Sequence, residues 1–192
     1  MTFKSTCLGL AVLFTLGLSH AGAAPVTFAS EVPVAIEDLG TALSTIRVDS
    51  HGTVLDLDAL LNISHGYDAD LVLSLSHAGT TVLLSNRNGG SGGADYTDTL
   101  FDDSALVAID AGYAYAPYTG AFRPQQALSA FNGHDIYGDW ILSVADMEAG
   151  DSGEINNWRL SADVLAAEVP EPASLALFGL GMLGLGGMRR RS

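Results

Sequence analysis

The sequence predicts an all-β fold, an antiparallel sandwich or jelly roll that lies between two terminal targeting segments. Two observations predict it: apolar and polar residues alternate with a period of two, and glycine-rich turn signals separate the alternating runs. A period of two is typical of a strand with one buried face. No stretch between the two terminal segments shows a convincing helical period.

The alternation is clearest in four runs, which cover 55–64, 70–76, 140–144 and 158–164. The last two runs contain Trp140 and Trp158. We expect both tryptophans to lie in the core, because each buries a large apolar area. Short strands joined by regular turns favour two packed sheets.

Residues 1–23 are predicted to be a secretory signal peptide. Lys4 supplies the positive charge, an apolar stretch runs from Cys7 to Leu18, and Ala21-Gly22-Ala23 provides a small-x-small cleavage site. We expect signal peptidase to cut after Ala23. The alternative is a retained N-terminal anchor, which the short apolar stretch disfavours.

Residues 166–192 carry a second processing signal. The segment reads Val169-Pro170-Glu171-Pro172, then an uncharged apolar run over 173–188, then Arg189, Arg190 and Arg191. As a helix the run would be about 24 Å long, and the arginines would snorkel to headgroups on the cytoplasmic side. The alternative is a plain C-terminal membrane anchor.

The whole segment resembles the PEP-CTERM sorting tail of Gram-negative bacteria. The resemblance implies that an exosortase recognises and removes the tail. The precursor would be held transiently in the inner membrane, and the mature protein would reach the cell surface or the extracellular medium.

Composition limits the partners and the chemistry. The chain has 22 acidic and eight basic residues, and only four arginines and no lysine lie between the terminal segments. Such a surface repels nucleic acid and anionic lipid. It suits a calcium-containing extracellular setting, although solubility alone also explains it. The single cysteine, Cys7, lies in the leader, so the mature protein has no disulfide and no thiol nucleophile.

The body resembles the P domain, or P/Homo B domain, of proprotein convertases. The matching runs are Asn62–His65, Asp70–Leu75, Gly79–Leu84, Phe101–Asp103, Tyr118–Pro124, Leu128–Gly133, Gly138–Asp146, Gly150–Ile155 and Trp158–Leu160. The resemblance implies an eight-stranded jelly roll over 46–165, after a short segment at 24–45. His77-Ala78 departs from the family's usual Ser-Pro, and Ala69 replaces its usual glycine.

In convertases the P domain follows a subtilisin-like serine protease domain and stabilises it. We expect no such catalytic domain and no catalytic residue here. His65 and His134 adjoin glycines and are interpreted as turn or surface residues. The expected function is a non-catalytic interaction module of the cell surface or extracellular matrix with a protein or polysaccharide partner. The alternative is an accessory domain that stabilises a separate subtilisin-like protease.

Calcium is the predicted ligand, with Asp70, Asp102, Asp103 and Asp146 as candidate ligands at strand ends. Asp68 and Asp151 lie in similar positions. Calcium takes six to eight oxygen ligands, which clustered carboxylates supply. The alternative is that these aspartates cap turns through backbone N–H groups.

Three tyrosines, Tyr113, Tyr115 and Tyr118, fall in one predicted loop. Their rings could stack on a sugar or a protein partner. The alternative is that they pack over one mouth of the sandwich.

Overall fold

A computed structural model describes residues 23–90, 94–111 and 115–166, and its fold is an all-β sandwich. The predicted fold class is therefore confirmed. Within these ranges no helix has the length and apolar character needed to cross a membrane. The predicted signal peptide up to Gly22 and the tail from Ala167 to Ser192 lie outside the described residues.

Ten strands within the described ranges build the sandwich. They are β1 (Ala23–Ser30), β2 (Val34–Ile36), β3 (Thr41–Val48), β4 (Gly52–His65), β5 (Leu71–His77), β6 (Thr80–Asn86), β7 (Tyr96–Phe101), β8 (Tyr118–Phe122), β9 (Gly138–Asp146) and β10 (Gly153–Ala166). Two short 3-10 turns lie in the connections between strands: Asp68–Asp70 between β4 and β5, and Leu128–Phe131 between β8 and β9.

The strands form a six-stranded and a four-stranded sheet. The first has the order β1-β10-β4-β7-β8, with β2 also paired to β10, and the second has the order β3-β9-β5-β6. Every pairing is antiparallel except that of β7 with β8, which is parallel. Residues 24–45 supply β1, β2 and most of β3, so the sandwich starts before the boundary at 46 predicted from the sequence.

The core lies between the two sheets because each strand turns every second side chain inward. In β3 the burial alternates strictly, with Ala42, Ser44, Ile46 and Val48 facing the core. Alternation of this kind fixes the strand register, since a slip of one residue would expose the whole apolar set.

Trp140 and Trp158 are fully buried, as predicted, one from each sheet. The Trp158 indole N–H donates to Ser44 Oγ at 2.9 Å and so links the six-stranded sheet to the four-stranded one. The Trp140 indole N–H donates to the Ile136 carbonyl at 3.0 Å, and its ring stacks on His77 with centroids 3.9 Å apart.

Replacing Trp158 with phenylalanine should lower the free energy of unfolding by about 2 kcal/mol. The change leaves a cavity and removes the hydrogen bond to Ser44. Urea unfolding followed by far-UV circular dichroism measures the loss. An unchanged midpoint would show that this contact between the sheets contributes little.

Candidate functional site

Polar residues gather at one end of the sandwich, which we call the His65 end. Here β4 and β9 finish, and β5, β7, β8 and β10 begin. The register places His65 opposite Gly153 and Leu71 opposite Asp146. The connections after β4 and β9 therefore lie side by side, and the amide N–H of Met147 donates to the Asp70 carbonyl at 2.9 Å.

The centre of the His65 end is a buried pair, His65 and Asp146. Both side chains are completely buried, and His65 Nε2 lies 3.5 Å from Asp146 Oδ2. Neither atom makes a hydrogen bond with any described residue. The other carboxylate oxygen, Asp146 Oδ1, accepts the Glu148 amide N–H at 3.2 Å.

The backbone of Tyr67 holds the far side of the His65 ring. His65 Nδ1 lies 3.0 Å from the Tyr67 carbonyl oxygen and 3.2 Å from the Tyr67 amide nitrogen. Gly153 closes the ring's other flank, since a Cβ there would overlap the Ser64 carbonyl oxygen and lie 2.8 Å from His65 Cδ2. The imidazole is therefore fixed in orientation.

Asp70 is the second buried carboxylate of this group. Burial raises the pKa of Asp70, and the negative charge of Asp146 raises it further, whereas His65 acts in the opposite direction. Asp70 and Asp146 are neighbours in the backbone, since Leu71 pairs with Asp146 and the Met147 amide N–H donates to the Asp70 carbonyl.

Asp68 begins the short 3-10 turn that ends at Asp70. Its side chain is inaccessible to solvent, and neither carboxylate oxygen has a hydrogen-bond partner among the described residues. Burial, with a smaller contribution from Asp95, raises the pKa of Asp68 to about 7. The Tyr118 hydroxyl, nearby, is likewise buried without a partner within these ranges.

Asp102 and Asp103 lie elsewhere, because β7 runs away from the His65 end. Phe101, the last residue of β7, pairs with Ala59, six residues before His65, a separation of about 20 Å along β4. Asp102 accepts from the Ser104 amide at 2.6 Å and the Ser104 hydroxyl at 2.9 Å. Asp103 accepts from the Leu128 and Ser129 amides at 2.8 and 2.9 Å.

Asp102 and Asp103 therefore act as caps, the alternative that the sequence left open. Their four oxygens each accept a protein N–H or O–H group, and their distance from the His65 end separates them from Asp70 and Asp146. Among the described residues no three His, Cys, Asp or Glu side chains are gathered closely enough to hold a metal ion.

The interpretation of His65 as a turn or surface residue is wrong. The signal that could have found its position is the alternation of β4, since the inward series Leu57, Ala59, Leu61 and Ile63 continues to His65. The adjacent glycine suggested a turn, and that turn begins one residue later.

The three tyrosines of the predicted loop do not share one environment. Tyr118 is completely buried and stacks on Tyr96 with centroids 5.2 Å apart, so its predicted role in partner contact is wrong. Tyr115 is 46% exposed, and Tyr113 lies outside the described residues. Of the predicted processing residues, Ala23 is the first residue of β1, whereas Pro170, Glu171, Pro172, Arg189, Arg190 and Arg191 fall in the undescribed tail.

The outer faces of the two sheets differ in charge. On the six-stranded sheet Asp56 of β4 pairs directly with Asp163 of β10. Burial of Asp58, together with its neighbours Asp102 and Asp56, raises the pKa of Asp58 to about 6.

The outer face of the four-stranded sheet carries no charge over three rows of cross-strand neighbours. We call it the neutral face, and its residues are Thr41, Ala145, Val72 and Asn86 in the first row, Leu43, Ser143, Ser74 and Leu83 in the second, and Thr45, Ile141, Ser76 and Thr81 in the third. Leu43 is 59% exposed at its edge.

Fold and site together define a β-sandwich domain with a buried polar cluster at one end. The sequence profile of the proprotein convertase P-domain matches residues 54–162, more than half of the chain. The chain belongs to the proprotein convertase P-domain family. A PEP-CTERM protein-sorting motif follows at 168–191 and marks the chain for export and exosortase processing.

Two curated proteases are relatives. The transglutaminase-activating metalloprotease of Streptomyces mobaraensis is 30% identical over 139 residues, which cover 70% of this chain and 14% of that protein. The calcium-dependent protease of a Nostoc species is 25% identical over 134 residues, covering 68% and 17% respectively. The chain thus spans less than a fifth of either relative.

A solved structure shares the fold. The serine protease of Aeromonas sobria, in complex with a chaperone, superposes with a TM-score of 0.52 at 20% identity and covers 77% of this chain and 28% of that one.

Replacing Asp103 with alanine should lower the free energy of unfolding by about 1–2 kcal/mol, because two backbone N–H groups lose their acceptor. Urea unfolding with chelator present excludes any metal effect. The matched control is Asp49→Ala, since the Asp49 side chain is 85% exposed and forms an exposed ion pair with Arg47. Equal effects of the two changes would contradict the capping role.

Replacing Asp58 with asparagine should raise the melting temperature at pH 7.5 and have little effect near pH 4. The folded-state pKa of Asp58 is about 6, above its ordinary value of 3.8, so the native protein loses stability as pH rises from about 4 to about 6. Thermal melts across this range measure the difference. A difference in melting temperature that stays constant across this pH range would contradict it.

Proposed function

We propose that this chain is exported, sorted by exosortase, and acts as a non-catalytic interaction module of the cell surface or extracellular matrix. The observation that carries the proposal is the neutral face. In a chain of net charge −14, it is a broad solvent-facing surface whose twelve residues include no carboxylate.

Charge explains why this face suits a partner. Docking on the other sheet would bury Asp56, Asp58 and Asp163, and removing carboxylates from water without partners is costly. The neutral face offers only hydroxyl, amide and apolar groups, which a neutral surface can cover without leaving a charge unpaired. It presents no aromatic ring to stack on a sugar, so a protein partner fits it better than a polysaccharide.

A charge placed at the centre of the neutral face should release the protein from its partner. Ser143→Arg adds a cation in the middle row, and desolvating it costs at least about 1.4 kcal/mol, a tenfold loss of affinity. The readout is the ratio of mature protein on the producing cells to that in the medium. We expect the ratio to fall at least about tenfold.

The matched control is Ser161→Arg, which adds the same charge at an exposed position of β10 on the other sheet. It should keep the wild-type ratio. Equal distribution of the wild type and both variants, with unchanged melting temperatures, would contradict a role for the neutral face.

A second function is favoured by the relatives: an accessory domain that stabilises a separate subtilisin-like serine protease. Both curated relatives are proteases, and this chain matches less than a fifth of each. If the chain has this accessory function, adding the purified chain should raise the melting temperature of such a protease from the same cells. No change at tenfold molar excess would exclude it.

We also propose that a divalent cation binds at the His65 end, with calcium as the first ion to test. Asp70 and Asp146 approach each other there, Asp146 Oδ2 is unpartnered among the described residues, and calcium appears in the name of the Nostoc relative. When bound, the ion would neutralise the repulsion between the two carboxylates.

Calcium at about 100 times its Kd should stabilise the native protein by about 2.7 kcal/mol, because it binds only the folded state. Thermal unfolding of the exported protein with calcium and with chelator measures the shift. Asp146→Asn should remove it, whereas Asp103→Asn should keep it. No shift in the wild type would rule calcium out.

A further inference from the structure

The two edges of the four-stranded sheet differ in how they are covered. Along β6, the amide N–H groups of Gln125 and Gln126 donate to β6 carbonyl oxygens at 3.1 and 2.9 Å. The Gln126 side-chain oxygen in turn accepts the Leu83 amide N–H at 2.9 Å. Along β3, the opposite edge, no segment within the described ranges pairs with the side that faces away from β9. We call that side the open edge.

The register shows which backbone groups of β3 face the open edge. The Asp146 amide N–H donates to the Gly40 carbonyl oxygen at 2.9 Å, so Gly40 and every second residue after it bond to β9. In an antiparallel ladder the residues between them turn their N–H and C=O groups the other way. Those residues are Thr41, Leu43, Thr45 and Arg47. Their side chains are also the exposed ones of β3.

The open edge lacks the features with which sheets usually block an edge. β3 contains no proline, and none of its inward-facing residues is charged. β1, at the neighbouring edge of the other sheet, does contain Pro25. Leu43 adds an exposed aliphatic side chain at the middle of the edge. An uncovered eight-residue strand of this kind is a template for pairing with another strand.

The distribution of charge allows a second copy of this chain to be that strand. β1, β2 and β3 lie on one flank of the sandwich, where Ser30 Oγ and Ser44 Oγ are 3.4 Å apart, and these three strands contain no acidic residue. Over the whole molecule the net charge of −14 opposes self-association. Contact along this flank brings no strand carboxylates of the two copies together.

The open edge is also complementary to itself. When two copies pair antiparallel with Ser44 on the two-fold axis, Thr41 lies opposite Arg47 and Leu43 lies opposite Thr45. This register uses every outward backbone group of β3 and forms about eight hydrogen bonds. The two Arg47 side chains lie about 20 Å apart along the ladder, so like charges do not face each other. Leu43 packs on the Thr45 methyl group of the second copy.

We propose that two copies of this chain form a two-fold symmetric dimer through their open edges in this register. The inference goes beyond the proposed function, because pairing along β3 leaves the neutral face exposed. The two four-stranded sheets become one continuous sheet, and the two neutral faces lie next to each other on the same side of it. A bivalent partner that binds both faces gains affinity from their proximity.

The test measures the oligomeric state of the purified exported protein. Sedimentation velocity between about 1 μM and about 1 mM should show the wild type changing from monomer to dimer. Thr45→Pro should raise the dimer dissociation constant at least about tenfold, because it removes an outward N–H and its ring obstructs the open edge while the bonds to β9 remain. The matched control Thr45→Val keeps that N–H and should dimerise as the wild type does.

A distance measurement tests the register and leaves the edge backbone intact. The only cysteine, Cys7, lies in the predicted signal peptide, so a single nitroxide label can be attached to Thr41→Cys. Because Thr41 of each copy lies opposite Arg47 of the other, we expect about 20–30 Å between labels in the dimer. A label on Thr81→Cys, on β6, should give a longer distance of about 35 Å.

Three results would overturn the inference. They are a wild type that stays monomeric at about 1 mM, a dimer that persists unchanged in Thr45→Pro, and a Thr41 label distance above about 40 Å. Failure of the dimer is distinguishable from failure of the proposed function through Ser143→Arg. Ser143 lies on β9, beside Leu43 but away from the open edge. This variant should dimerise as the wild type does, whatever its distribution between cells and medium.

Discussion

The pairing of β4 with β10 is the constraint on which the rest of the molecule depends. The two fourteen-residue strands pair along almost their whole length, from His65 opposite Gly153 to Gly52 opposite Ala166. This ladder forms the centre of the six-stranded sheet, and it sets Trp158 at the height where its indole reaches Ser44 in the other sheet. The same register brings Gly153 so close to His65 that a Cβ there would lie 2.8 Å from His65 Cδ2.

Charge is distributed unevenly over the two sheets, and burial of some carboxylates changes their pKa values. On the six-stranded sheet, burial and the neighbouring carboxylates of Asp102 and Asp56 raise the pKa of Asp58. Asp68, Asp70 and Asp146 are buried at one end, where solvent no longer screens them. The neutral face has neither clustered nor buried carboxylates, since its outward side chains are hydroxyls, amides and aliphatic groups. The domain therefore has a buried acidic cluster at one end and an uncharged outer face on the four-stranded sheet.

The sequence predicted several residues of the candidate site, but it did not predict which of them lie together. Four aspartates were expected to share a calcium ion, and the fold separates them into two pairs. Asp102 and Asp103 follow a strand that runs away from the His65 end and bond to backbone amides. Asp70 and Asp146 come together because β5 pairs with β9. Composition and spacing hold no information about which strands pair, so the partition could not be predicted from spacing alone.

By itself the sequence determined the all-β class, the burial of the two tryptophans, the family and the sorting motif at 168–191. Each of these follows from local periodicity or from residues that are contiguous in the chain. Only the tertiary structure decided that β1, β2 and β3 complete the sheets, that Tyr118 is a core residue, and that His65 is buried against Asp146. The physical reason is the same in each case. These properties arise from contacts between residues far apart in the chain, and the register of the paired strands fixes those contacts.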